Sequence, residues 1–205
     1  MEPSKKYWDR YYTVKRERTP SRFAKFCKKY MKQKPGYLLD IGCGNGRDSY
    51  YFATDKDIFV VALDRSSNVD PKDINNLVFI KDDFSNIYKL KKSGFIPNYV
   101  YSRFSLHSIS KKKQNKIIKE VYNILQKEGL FFIEVRSIKD EKYGKGKQIE
   151  KDAYFSDHYR RFIRKQELEL ILTKNRFKII YSKEAKNYAL YKNENPKVIR
   201  IIAQK

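Results

Sequence analysis

The sequence predicts an α/β fold, a mostly parallel sheet with helices on both faces, and three observations carry that expectation. Short runs rich in β-branched and aromatic residues alternate with stretches of helical periodicity. Several runs, LFFIEV from Leu130 above all, are apolar throughout, as strands covered on both faces must be. One run, YLLDI at 37–41, closes on a glycine loop and is followed at once by a helical stretch. A chain of 205 residues is read as one domain over 1–205, since a domain of that size buries roughly 70% of its unfolded surface.

Taken in order, residues 1–36 hold twelve Lys and Arg against three acids. Phe23, Phe26, Cys27, Tyr30 and Met31 recur at helical spacing after Thr19 and Pro20, so this segment reads as a basic helical lead-in. The strand YLLDI and the helix RDSYYFA (47–53) come next. IFVVALD (58–64), LVFIKDD (77–83) and NYVYS (98–102) are further strands, each ending in an acid or a polar residue. From Ser110 to Lys127 the positions Ile117, Ile118, Val121, Ile124 and Leu125 keep helical spacing, and Gly129 ends that helix before LFFIEV. Residues 137–160 are charged and aperiodic, long for a connection, and are read as an insert on the substrate side. RKQELELILTKN (164–175) is a helix, and RFKIIYS and VIRIIAQ (198–204) are the last strands.

Composition excludes other classes. With 40% hydrophobic and 15% aromatic residues the chain is too apolar to be disordered. No window approaches the roughly 18 to 20 uncharged residues of a membrane span, and MEPSKKYWDR lacks the apolar core of a signal peptide, so the expected location is cytoplasmic. Cys27 and Cys43 have no metal-ligand spacing and are expected to be free thiols, with no metal bound. The net charge of +22 would attract nucleic acid, anionic lipid or acidic small molecules, and a compositional bias toward Lys, Asn, Ile and Tyr would produce it equally well. Oligomeric state has no signature.

Asp40, Gly42, Cys43, Gly44 and Gly46 close the first strand, where glycine permits a sharp turn and close approach to a ligand. Asp64 and Asp83 end the second and third strands, so three acids meet one sheet edge. Asp64 suits a ribose diol, as an acid does in dinucleotide folds. The spacing is GxGxG rather than GxGxxG, however, and Asp40 would repel a pyrophosphate while attracting an ammonium group. S-adenosylmethionine fits better than a dinucleotide.

Over nearly its whole length the sequence resembles the class I S-adenosylmethionine-dependent methyltransferases: DIGCGNGRDS is similar to their first motif, LDRS to the second and IKDDF to the third. The resemblance implies a Rossmann-like seven-stranded sheet with an antiparallel last hairpin. It also implies that Gly42 to Gly46 lie under the methionine moiety, Asp64 on the ribose and Asp83, a role Asp82 could share, near the adenine amine. Asp48, Arg65, Phe84 and Ser102 are further expected cofactor contacts, with S-adenosylhomocysteine as product. YWDRYY (7–12) looks like the aromatic segment that caps the cofactor in some relatives, with Trp8, Tyr12 and Arg22 as contacts or merely as packing.

On the acceptor side, Arg103, Arg136, Tyr143, Tyr159, Arg160 and Arg161 are expected near one rim, and arginine's planar fork suits a carboxylate or phosphate; each arginine taken singly would equally serve to order the insert through an ion pair. A hydroxyl acceptor would require a base, for which His107 and His158 are candidates and Glu134 a third. SRFSLHSI, EVRSxxDxxYGKG, HYRRF and NPKVIR together resemble small methyltransferases of surface-polysaccharide biosynthesis clusters, which implies O-methylation of an anionic sugar, glycan or sugar-linked phosphate. Two alternatives remain: a nucleic-acid methyltransferase using the basic charge, though no base-flipping motif or RNA-binding module is present, and a catalytically idle cofactor-binding protein, which would be expected to have lost one of Gly42, Gly44, Gly46 or Asp64.

Overall fold

The computed structural model of the protein describes residues 3–14, 19–33, 35–65, 74–191 and 193–205. Helix α1 (Pro3–Val14) precedes α2 (Arg22–Lys28), whose first turn is capped by Ser21: its Oγ accepts from the Ala24 amide at 3.0 Å. The sequence placed that start at Thr19 and Pro20; the capping hydroxyl comes one residue later. Strand β1 (Gly36–Ile41) leads through the glycine loop to α3 (Arg47–Ala53), and β2 (Ile58–Leu63) and β3 (Leu77–Ile80) follow. The short α4 (Tyr88–Lys92), which no periodicity announced, precedes β4 (Tyr99–Arg103). Helix α5 (Lys111–Ile124) feeds β5 (Leu130–Arg136).

The segment 137–160, expected as an irregular insert, contains strands. β6 (Lys147–Glu150), β7 (Ala153–Phe155) and β8 (Tyr159–Arg161) form an antiparallel sheet of their own. All four residues of β6 are exposed, so there was no apolar alternation to read; pairing with β7 defines it, and the Tyr159 hydroxyl of β8 donates to Glu150. Then come α6 (Lys165–Lys174), β9 (Lys178–Ala185) and β10 (Val198–Gln204).

The main sheet has the order β3-β2-β1-β4-β5-β10-β9. Strands β1 to β5 are mutually parallel, and β10 runs antiparallel to both of its neighbours, β5 and β9. The order reverses direction at β1 and β4, the position at which open sheets of this kind bind ligands beyond their carboxyl ends.

Alternation along the strands builds both layers of core. Leu39, Val61, Val100, Phe131, Ile133 and Ile201 pack with Ile117, Ile118 and Val121 of α5 and with Leu168 and Leu172 of α6. Their neighbours Leu38, Val60, Tyr99, Tyr101, Phe132 and Ile202 face the other way, onto Phe23 and Cys27 of α2 and Phe52 of α3. Truncating a fully buried ring such as Phe132 to alanine would cost about 3–5 kcal/mol. Asn98 lies at the far end of β4, where its side chain accepts from the Tyr37 amide and donates to Gln33 and Gln126; it stitches the sheet edge remote from the strands' carboxyl ends.

Candidate active site

The glycine loop after β1 turns through three residues at positive φ: Gly42 (78°), Gly44 (58°) and Gly46 (75°). An L side chain in this left-handed region costs about 1–2 kcal/mol, which explains the glycines locally. Space adds a second reason. A Cβ on Gly42 would lie 2.3 Å from Ser105 Oγ, one on Gly44 2.4 Å from the Tyr12 ring, and one on Gly46 2.7 Å from Phe79. The protein's own side chains therefore press on the loop. Gly42 and Cys43 line a cavity of about 1120 Å³ over the strands' carboxyl ends, whereas Gly44 and Gly46 do not reach it.

One end of this cavity is acidic. Asp40, 2% exposed at the end of β1, accepts from Ser49 Oγ at 2.6 Å, and burial pushes its pKa from the ordinary 3.8 up to about 8. Asp64, following β2, accepts from the Gly44 amide at 2.9 Å. Asp83 caps the turn Phe84–Asn86 by accepting from the Ser85 amide at 2.8 Å, and it faces Arg65 at 3.4 Å. Asp48 also lines the cavity, but its carboxylate accepts from the Ser21 amide and hydroxyl and from Tyr101, so it fastens α2 to α3. Asp82 accepts from Asn86 and faces Lys89, and Ser102 is fully buried; neither lines the cavity. Ser66, the last residue of LDRS, lies outside the described residues.

Helix α1 roofs the cavity. Trp8 stacks with Tyr12 at 5.8 Å, and Tyr12 rests on Gly44. Further along, Tyr7 stacks on His158 at 4.3 Å and donates to Asp157 at 3.0 Å. Arg22 lines the mouth and donates to the Asn187 carbonyl. A group bound here would be enclosed between aromatic faces and the acids of the sheet edge. An adenosine with a cationic amino-acid tail matches that set: Asp64 suits the ribose hydroxyls and Asp40 the ammonium.

The other end is basic. Arg103, Lys113, Arg136, Lys142, Tyr159 and Arg160 line it, with Asp157 and Glu194 as its acids. Arg136 donates to Asp140 and, at 2.8 Å, to Glu194, and Arg160 lies 3.7 Å from Asp157. Phe104, strained at φ 57°, presents its ring to Arg103 at 4.5 Å and to Arg136 at 5.8 Å. Two expected acceptor contacts lie elsewhere. Arg161 is buried, holding the Leu106 and Ile109 carbonyls and Gln114, and Tyr143 donates to Asp152 in the turn between β6 and β7.

The three expected bases are all engaged. Glu134, fully buried, accepts from Arg103 at 2.8 Å and Arg200 at 2.6 Å and does not reach the cavity, so it is a structural counter-ion rather than a base. His107 Nδ1 accepts from the Arg136 amide at 3.2 Å, which puts the ring proton on Nε2, and burial holds its pKa well below the usual value. His158 Nε2 accepts from Arg160 at 2.9 Å, and burial lowers its pKa to about 4. Sequence reasoning missed Ser105, Phe104, Asp157, Lys142 and Glu194 as lining residues. Ser105 and Phe104 sit inside the SRFSLHSI stretch already singled out, whereas Glu194 meets Arg136 only through the fold.

A model of a methyltransferase domain family matches residues 11–182. The fold is shared with solved structures of low identity. A protein of Methanosarcina mazei described as a SAM-dependent methyltransferase superposes with TM-score 0.72 at 21% identity, over 88% of this chain and 96% of that one. The 1,6-didemethyltoxoflavin-N1-methyltransferase of Burkholderia thailandensis, solved with 1,6-didemethyltoxoflavin and S-adenosylhomocysteine, gives 0.65 at 16% identity, over 89% and 76%. The glycopeptide N-methyltransferase MtfA with S-adenosylhomocysteine gives 0.66 at 15% identity, over 94% of each chain. No curated protein matches by sequence.

Proposed function

Because the chain belongs to the methyltransferase domain family, we propose that it transfers the methyl group of S-adenosylmethionine to an anionic acceptor, O-methylating a sugar, glycan or sugar-linked phosphate. The observation that carries this reading is that a single cavity is lined both by the strand-end acids Asp40, Asp64 and Asp83 and by the cations Arg136, Arg160 and Lys142. When bound, S-adenosylmethionine supplies a methyl group on a cationic sulfur, which leaves in a single displacement.

The protein's own contribution is placement. Asp40 and Asp64 hold the cationic tail and the ribose, Trp8 and Tyr12 close over them, and Arg160 with Arg136 holds the acceptor's negative charge. Aligning two reactants in this way is worth about 7–11 kcal/mol of barrier in well-oriented systems. Glycopeptide and toxoflavin methyltransferases share the fold, so the fold itself does not choose the acceptor. The resemblance of SRFSLHSI and HYRRF to polysaccharide-cluster enzymes supports a sugar. The domain is read as one unit over 1–205, with Tyr7, Trp8 and Tyr12 of the N-terminal segment and Lys142, Asp157 and Arg160 from the region of the insert lining the same cavity.

The +22 charge favours a second reading, methylation of nucleic acid, because neutralised phosphates release counterions and bind in a strongly salt-dependent way. Radiolabelled S-adenosylmethionine offered with a uronic acid, a sugar phosphate, a neutral sugar and RNA separates the two. The sugar reading expects label on the anionic sugars; label on RNA alone would replace it.

A further inference from the structure

The acceptor end is well supplied with cations and poor in proton acceptors. His107 gives its Nδ1 to the Arg136 amide and His158 its Nε2 to Arg160. Of the two carboxylates there, Asp157 accepts from Tyr7 at 3.0 Å and Ser156 at 2.7 Å, and Glu194 from Arg136 at 2.8 Å and Lys142 at 2.6 Å. Both are held below the usual carboxylate range, Asp157 chiefly by its Ser156 hydrogen bond and Glu194 by Lys142, against burial, which pushes each the other way. Among the described residues of this end, each imidazole has one ring nitrogen accepting from the protein, and each carboxylate oxygen accepts from at least one donor. A hydroxyl nucleophile would have to compete with these donors for its base.

Resting on the proposed function, we infer that the oxygen receiving the methyl group is itself ionised, a carboxylate or phosphate oxygen held by Arg160 and Arg136, and that the enzyme uses no general base. An oxygen lone pair forms the O–CH₃ bond while the C–S bond breaks and its electrons pass to sulfur. The acceptor's negative charge and the sulfonium's positive charge cancel, and no proton moves. The guanidinium groups suit this task, since they orient the oxyanion through charge-assisted hydrogen bonds without protonating it. Their side chains are 11% and 10% exposed, so water competes little for them.

The test has two readouts. With S-adenosylmethionine carrying a ¹³C-methyl group, glucuronate, glucose 6-phosphate and glucose are each incubated with the full chain, and the product methyl carbon is examined by NMR. A methyl-ester carbon on glucuronate, or a carbon split by phosphorus on the sugar phosphate, is expected, and the two signals identify which oxyanion is used. A methyl-ether carbon on any of the three, or no transfer to either anion, overturns the inference. Independently of turnover, glucuronate and glucose 6-phosphate are titrated calorimetrically into protein saturated with S-adenosylhomocysteine. Arg160→Met is expected to weaken the bound anion at least ten-fold, as losing a charge-assisted hydrogen bond does; unchanged affinity also overturns it. Protein that fails to bind S-adenosylhomocysteine at all contradicts the proposed function instead.

Discussion

The Asp64 carboxylate accepts a hydrogen bond of 2.9 Å from the Gly44 amide, so the end of β2 and the glycine loop after β1 are held as one unit. Asp64 thus shapes the loop as well as offering oxygens to the cofactor. Replacing it with alanine removes both roles. A hydrogen bond to a charged group is worth about 1.5–3 kcal/mol, so Asp64→Ala should weaken S-adenosylmethionine binding about ten- to a hundred-fold or more in a calorimetric titration. A loss of less than three-fold would remove Asp64 from the site.

Gly44 and Tyr12 form a second coupled pair. Gly44→Ala places a methyl group against the Tyr12 ring and an L residue at φ 58°. The backbone penalty, about 1–2 kcal/mol, stays with the loop, whereas the clash is shared with α1. The double variant Gly44→Ala, Tyr12→Ala should therefore be more stable than additivity of the single variants predicts. Strict additivity in chemical denaturation would show that α1 does not rest on the loop in solution.

Glu134 is the shared counter-ion of two guanidinium groups that are 18% and 6% exposed. Glu134→Gln leaves buried positive charge without its partner, a change that costs about 3–5 kcal/mol. At about 2–4 °C per kcal/mol for a chain of this size, the melting temperature should fall by roughly 6–20 °C. A melting temperature within two degrees of wild type would mean that Arg103 and Arg200 find other partners.

Asp40 links the site to pH. Unfolded, its carboxyl titrates near the ordinary 3.8; folded, burial holds it near 8, so between those values the folded protein binds the extra proton. Stability from this group therefore declines as pH rises from about 4 toward 8 and is level above that, and Asp40→Asn should flatten the decline. An ammonium group beside Asp40 favours the ionised form, so binding S-adenosylmethionine near pH 7 should release close to one proton. Calorimetry in buffers of different ionisation enthalpy measures it, and zero protons released by wild type would separate Asp40 from the ammonium.

The parts of the fold that were legible in the sequence are those whose side chains announce their surroundings. β5 and β10 are apolar on both faces, α3 follows a glycine loop, and α5 carries one apolar stripe. Strand β6 was not legible because its four residues are solvent-facing and leave no apolar alternation to mark it. The acids at the strand ends were legible because chain order fixes them at one edge. The state of the histidines was not: what occupies His107 Nδ1 is an amide 29 residues away, and no local pattern encodes that. Arg161 looked like a ligand for an anion by composition, yet its partners are carbonyls of the turn after β4, brought to it by the packing of β8.

The most direct test of the central claim is a calorimetric titration of the wild-type chain with S-adenosylmethionine and, separately, with NADH. The site predicts saturable binding of S-adenosylmethionine and none of NADH, which lacks the ammonium group that Asp40 would meet. Binding of NADH with no binding of S-adenosylmethionine would contradict it.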